Sequence, residues 1–244
     1  MRDDLEEIIA SVNDRSYTIL FTSGYSLTPE RVQSLKKSGL TIASVSIDSH
    51  YEDEQTSRRG SKKAYGEALR AINLFSEAGI YTTASAVMSP SMKSWNEIEG
   101  FADFLHKNGA DELRILREIP AGKACGSGGE FDHKKIEALR ASYNRDPEKI
   151  TIMSLPGFEM PGYCGCGAGI FHLYIDAKGN VCPCDFVQTP FGSLEEQNFS
   201  EIYSKMNKTF RSNAGECLRA RLARGETMER NDSDFHGFLK SLVK

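Results

Sequence analysis

Four of the chain's six cysteines fall within "GYCGCGAGIFHLYIDAKGNVCPCDF", residues 162–186. Cys164 and Cys166 are separated by one residue, and so are Cys182 and Cys184. Side chains two apart on a strand share a face, so Cys182 and Cys184 can point at one site unless Pro183 bends the strand. Gly165, Gly167 and Gly169 let the backbone fold tightly around a bulky inorganic centre. Soft thiolates suit zinc or an iron–sulfur cluster. Zinc knuckles favour a C-x2–4-C spacing that neither pair has, so the spacing favours a cluster. The competing account makes some of these thiols small buried hydrophobes, and at least one is expected to be that. Cys125, in the Gly-rich stretch "AGKACGSGGE", reads as a free thiol.

Composition narrows the setting. The 244 residues carry 30 Lys and Arg against 34 Asp and Glu, a net charge of −4 with no long run of either sign, so no nucleic-acid footprint is expected. No apolar stretch approaches the roughly 20 residues that a membrane span needs. The opening "MRDDLEEIIASVNDRSYT" lacks the apolar segment of an export signal. A cytoplasmic location is the expectation, and there clustered cysteines mean metal or redox chemistry rather than structural disulfides.

The elements that must position these residues alternate in period. "YTILFTS" (17–23), "TIASVSID" (41–48), "GIYTTASAVM" (79–88) and "DELRILREI" (111–119) read as strands. Between them lie helical patterns over residues 28–39, with Thr28 as cap and Pro29 at the first position, and over 62–79, with Ala64, Leu69, Ile72 and Phe75 on one face. A third covers 94–109. This alternation implies parallel strands with right-handed crossovers and a functional end at the C-termini of the strands. Residues 132–144 read as a further helix and 150–155 as a short strand. "FHLYID" and "VCPC" read as a hairpin around Lys178-Gly179-Asn180, and "LEEQNFSEIYSKM" as a helix, followed by "GECLRARLARG" and an amphipathic "DFHGFLKSLVK".

At this point the cysteine region resembles a known family. Cys166, twelve residues, Gly179, four residues and Cys184 reproduce the C-x(9–15)-G-x4-C signature of the auxiliary-cluster region in radical S-adenosylmethionine enzymes with SPASM or twitch extensions. "LYIDAKGNVCPCDF" is similar to that family's "YIDPDGxVxPC", and "FGSLEEQNFSEIYSKM" to its "GNIxExSxxEIW". The resemblance implies an auxiliary [4Fe-4S] cluster with Cys166, Cys184 and Cys217 as ligands and Cys164 and Cys182 competing for the fourth place. His172 is an outside ligand candidate. The SPASM continuation C-x2-C-x5-C-x3-C is absent, which implies a twitch-like site with one cluster.

The first half resembles the same family in order: "LFTSGYSLT" its third barrel strand, "VSIDSH" its fourth, "EQTSRRGSKKAYGEALRAINLFSEAGI" the segment after it, and "GADELRILREIPAGKA" its sixth. The resemblance implies S-adenosylmethionine as cofactor, with Ser46 at its ribose or amino-acid end, Arg59 at its carboxylate and Asp48 capping or receiving a ligand hydroxyl. Arg114 and Arg117 fall near the last barrel strand, one facing the cavity and the other exposed. The family's C-x3-C-x2-C and "GGEP" motifs occur nowhere in the chain. Met1 therefore reads as an internal start, with roughly the first third of the family domain missing. The expectation is an exposed edge at strand 17–23, covered in part by a helix over 3–13.

The expected architecture is α/β: a partial (β/α)6 barrel of the radical S-adenosylmethionine type, strands three to six, in residues 1–125, a connecting helix and strand in 126–160, and a Cys-rich SPASM/twitch-like hairpin with helices in 161–244. The implied function is the C-terminal portion of a radical S-adenosylmethionine oxidoreductase that cleaves S-adenosylmethionine reductively and abstracts hydrogen, with a peptide or protein as substrate and an N-terminal half supplied by another chain. The alternative is a non-catalytic iron–sulfur protein or electron relay.

Overall fold

The computed structural model describes residues 2–12, 15–87, 94–119, 133–154, 165–210 and 217–225. These divide into two compact units. The first, built from residues 1–117 and 132–154, contains in order α1 (Leu5–Ser11), β1 (Ile19–Thr22), α2 (Pro29–Lys37), β2 (Ile42–Ser46), α3 (Glu52–Arg59), α4 (Ala64–Glu77), β3 (Tyr81–Val87), α5 (Trp95–Lys107), β4 (Glu112–Leu116), α6 (His133–Tyr143) and β5 (Thr151–Ser154).

Local chemistry sets the helix starts. Thr28 accepts the N–H of Arg31 ahead of Pro29, and Ser94 and Glu97 form a reciprocal capping box on α5. α4 buries Ala68, Ala71, Ile72 and Phe75, so the stripe is centred on its two alanines, with Ala64 and Leu69 half-buried at the margin. No apolar period marks α3, where only Gln55 of "EDEQTSRR" is buried; its signals are charge and capping, with Glu52, Asp53 and Glu54 in the first turn, Arg58 and Arg59 in the last and Gly60 as a left-handed C-cap.

The five strands form one parallel sheet in the order β1-β2-β3-β4-β5. β5 is the strand that the sequence division places in a connecting segment. It pairs with β4 because Asn144 grips it, its amide nitrogen donating to the Ile152 carbonyl at 3.1 Å and its oxygen accepting the Ile152 N–H at 2.8 Å. The barrel portion therefore has five strands where the sequence reading expected four.

Register assigns the faces. Ala43, Val45, Ala84, Ala86, Leu113, Ile115 and Ile152 are buried and share one face, against which the apolar stripes of α4, α5 and α6 pack. The other face is polar. One row across it reads Phe21, Ser44, Thr83, Glu112, Thr151, and the next, toward the C-terminal strand ends, reads Ser46, Ser85, Arg114, Met153. This face is concave. The Arg114 guanidinium lies 5.8 Å from the centre of the Phe21 ring although three strand spacings, about 14 Å in a flat sheet, separate their strands.

β1 is one of the two outer strands of the sheet, and Ile19 and Phe21 on it are exposed. The expected cover does not form: α1 docks on α2, where Glu6 pairs with Arg31 at 2.8 Å.

The second unit, residues 118–131 and 155–244, holds β6 (Tyr174–Ile175), β7 (Asn180–Cys182), β8 (Gly192–Ser193), α7 (Phe199–Thr209) and α8 (Leu218–Ala223). Its strands form an antiparallel sheet in the order β6-β7-β8. The expected amphipathic tail 234–244 and Cys125 lie outside the described residues. Among the described residues no helix is long and apolar enough to cross a membrane.

Candidate metal centre

The β6–β7 hairpin turns where the sequence expects, and Asp176 builds the turn. Its carboxylate accepts the N–H of Lys178 at 2.8 Å, the N–H of Asn180 at 2.9 Å and the Asn180 amide at 2.9 Å. These donors hold the Asp176 carboxyl below the usual carboxylate range.

The preceding loop is tied directly to the second cysteine pair. The Gly169 N–H is shared between the carbonyls of His172 and Pro183, each at 2.9 Å, which docks the Cys166 loop beside Cys184. Gly169 has φ of 72°, and a Cβ there would run into the Phe210 ring. At Gly167 a Cβ would overlap Phe171. Gly167 and Gly169 are thus needed for close approach of ring to backbone.

Cys166 and Cys184 lie in one buried cluster with Ala168, Val181, Val187, Ile202, Met206, Phe210 and Leu218. The Leu218 N–H, at the start of α8, donates to Cys166 Sγ at 3.4 Å. Cys217, also buried, immediately precedes that N–H. Two cysteines, Cys166 and Cys184, therefore share one cluster with Leu218, the residue that follows Cys217.

Cys182 does not join them. Its strand neighbour Val181 faces the cluster, and alternation sends Cys182 to the opposite face, where Asp176 lies near enough to act with burial in raising the thiol's pKa. The expectation that Cys182 and Cys184 share a face fails because β7 ends at Cys182. Beyond Pro183 the chain turns, with Cys184 bridged to Val187. Cys164 lies outside the described residues.

Burial pushes the Cys184 thiol up to about 12. The N–H groups of Phe186 and Val187 donate toward it and oppose that rise, while Asp185 and Cys166 add to it. His172 is half-exposed and pairs with Asp185 at 3.4 Å, next to Cys184 in sequence. The four described cysteines form no disulfide. Among the described residues no three His, Cys, Asp or Glu side chains come close enough to share one metal ion. The donor set suits an iron–sulfur cluster better, since each thiolate then holds a different iron and backbone N–H groups stabilise the sulfur charge.

In the first unit, Asp48 is buried beyond the end of β2. It accepts the Val87 N–H at 2.9 Å and pairs with Arg59 at 2.8 Å and Arg58 at 3.6 Å. Gln55 receives the Asp48 N–H at 2.8 Å. Arg59, expected at a ligand carboxylate, is instead paired with Asp48 in this structure. Ser46 is half-buried on the concave face, in register with Ser85. Of Arg114 on β4 and Arg117 just beyond it, Arg114 is the inward one, 8% exposed.

Comparison with known proteins follows these two units. The family described as the Radical SAM superfamily matches residues 1–105, and the iron–sulfur cluster-binding domain named SPASM matches residues 164–223. The AdoMet-dependent heme synthase of Nitratidesulfovibrio vulgaris is 24% identical over 84% of the chain and 63% of its own length. The PqqA peptide cyclase of Rhizobium meliloti is 25% identical over 97% of the chain and 65% of its own length. The chain thus spans about three fifths of the length of such relatives. Streptococcus suis SuiB, in crystal structures with S-adenosylmethionine and with its precursor peptide SuiA, shares the fold at a TM-score of 0.69 and 14–15% identity, covering 96% of this chain and 62–63% of SuiB. The chain belongs to the radical S-adenosylmethionine superfamily and carries a SPASM-type cluster-binding domain.

Proposed function

We propose that the chain forms the substrate and auxiliary-cluster part of a radical S-adenosylmethionine oxidoreductase acting on a peptide or protein, with an auxiliary [4Fe-4S] cluster on Cys166, Cys184 and Cys217. The observation that carries this reading is the Leu218 N–H on Cys166 Sγ, which draws the Cys217 segment onto the first cysteine loop. The PqqA peptide cyclase and the peptide-bound SuiB support a peptide substrate. Reductive cleavage of S-adenosylmethionine, which yields the radical that abstracts hydrogen, needs a three-thiolate cluster, and the chain's sequence contains no C-x3-C-x2-C to hold one. We place that cluster on a separate polypeptide. The chain's own residues bind and orient: Arg59, in the last turn of α3, is the group for a ligand carboxylate, Ser46 offers a hydroxyl at the strand end, and the cysteine hairpin shields the auxiliary centre.

The same missing motif favours the second reading, an iron–sulfur protein that relays electrons without cleaving S-adenosylmethionine. Anaerobic reconstitution with iron and sulfide, iron counting and an assay for 5′-deoxyadenosine separate the two. The proposal expects about four iron per chain. It expects no 5′-deoxyadenosine from the chain by itself, and product once a polypeptide bearing C-x3-C-x2-C is added. Product from the chain by itself would refute the placement of the radical-generating cluster.

A further inference from the structure

The concave face of the sheet is polar where a packed core would be apolar. On it Ser44 and Ser85 share a hydrogen bond of 2.6 Å between their hydroxyls, and both are buried. Arg114 gives its Nε and one terminal nitrogen to a single oxygen of Glu112, at 3.3 and 3.2 Å, which leaves the other terminal nitrogen to a ligand. Between the hydroxyl pair and this ion pair stands Thr83, directly opposite both Ser44 and Glu112 in the register. Thr83 is fully buried, and its Oγ1 has no hydrogen-bond partner among the described residues. A hydroxyl left so is costly unless something arrives to meet it.

A carboxylate meets both needs. One of its oxygens accepts from the Thr83 hydroxyl and the other from the unengaged nitrogen of Arg114, its diagonal neighbour on the adjacent strand. On the β1 side Phe21, beneath the Arg114 guanidinium, is 60% exposed and offers an apolar wall to the carbon chain that carries the acid. Glu112 holds Arg114 in place and keeps the empty site from carrying an uncompensated charge.

We infer that Thr83 and Arg114 form a carboxylate-binding site on the concave face of the sheet, so that the substrate is an acid held by that group. This rests on the reading of the sheet as the chamber in which the substrate lies, but binding can be measured without any cluster. The acid has two chemical sources, a side chain of a peptide or a small carboxylic acid.

The test titrates the chain, followed by backbone amide NMR, with propionate, with a capped Ala-Glu-Ala peptide, and with propionamide and capped Ala-Gln-Ala as the neutral partners. The expected result is saturable shifts at β3 and β4 for an acid and none for its amide, with the tighter of the two acids naming the source. Thr83→Val is expected to weaken the acid more than tenfold while raising the melting temperature of the free chain, because it removes an unmet buried hydroxyl. A merely structural threonine would give a lowered melting temperature and unchanged binding. That result, equal binding of acid and amide, or no saturable shift would each overturn the proposal. The double variant Arg114→Gln/Glu112→Gln, which leaves no buried charge behind, is expected to fold and to bind neither acid. Loss of acid binding with cluster loading intact is separable from failure of the auxiliary-cluster reading, which would show as absent iron with acid binding retained.

Discussion

Leu218 donates its backbone N–H to Cys166 Sγ across 52 positions of sequence, so the start of α8 and the first cysteine loop form one unit. Cys166 and Cys184 share a buried cluster, whereas Cys182 sits on the opposite face of β7. Cys166→Ala and Cys184→Ala are each expected to lower iron retention by more than tenfold after anaerobic reconstitution, since losing a direct ligand costs at least what losing a supporting one does. Cys182→Ala should keep its iron. Iron and sulfide analysis with visible absorption reads all three, and full loading of Cys184→Ala would remove Cys184 from the centre.

The raised pKa of Cys184 has a definite sign. The free thiol titrates near 8.5 in an unfolded chain, and burial pushes it up to about 12 in the fold. The neutral thiol is the form the metal-free fold prefers. Its contribution is therefore fully present below about pH 8.5 and is lost as pH rises toward 12. Metal-free protein should lose about 1–2 kcal/mol between pH 8.5 and 10 through this group. Urea unfolding at both pH values, beside Cys184→Ala, isolates the effect, and equal pH slopes for the two proteins would contradict it. Iron uptake, which needs the thiolate, should strengthen over the same range.

Much of the site was legible from residue types. The hairpin and its turn follow from "YIDAKGN", and the parallel strands from the alternation of apolar runs with capped helices. Parity failed at one point, because Pro183 ends β7 and swings Cys184 out of the alternation that Cys182 obeys. The choice between Arg114 and Arg117 was open in sequence, yet Leu113 and Ile115 on the helix-covered face force Arg114 to the other side. What no local pattern carries is long-range approach: Phe210 against Gly169, Leu218 against Cys166, and the unmet hydroxyl of Thr83 all depend on which segments the fold brings together.

Asp48 holds the loop after β2 by accepting Val87 N–H and pairing with Arg59. Asp48→Ala removes both and leaves two guanidiniums facing each other, for an expected loss of about 2–3 kcal/mol, tempered by the partial exposure of both arginines. Asp48→Asn retains an acceptor for the amide and should cost about half as much. Equilibrium unfolding in urea measures both, and a neutral Asp48→Ala would show that the pairing adds nothing.

The open edge of the sheet makes a prediction about association. Ile19 lies exposed on β1, whose outer side has no strand partner among the described residues. Such an edge recruits further strands unless a charge interrupts it. Sedimentation velocity across a concentration series should show self-association of the unmodified chain, reduced by Ile19→Lys with no loss of unfolding cooperativity. Association that is identical in both proteins would place the contact elsewhere.

Gly169 joins the cysteine hairpin to its packing. Its positive φ disfavours any side chain, and the space a Cβ would take is filled by the Phe210 ring. Phe210 is fully buried in the same cluster as Cys166 and Cys184, so it cannot give way without opening the centre. Gly169→Ala is therefore expected to cost about 2–3 kcal/mol from backbone strain and overpacking together. It should also lower iron retention although no ligand has changed. The double variant Gly169→Ala/Phe210→Leu makes room for the methyl group and should recover part of the iron while retaining the backbone strain. Iron retention that follows Gly169→Ala but fails to respond to the second change would assign the loss to the backbone alone, and unchanged retention in Gly169→Ala would separate this glycine from the centre.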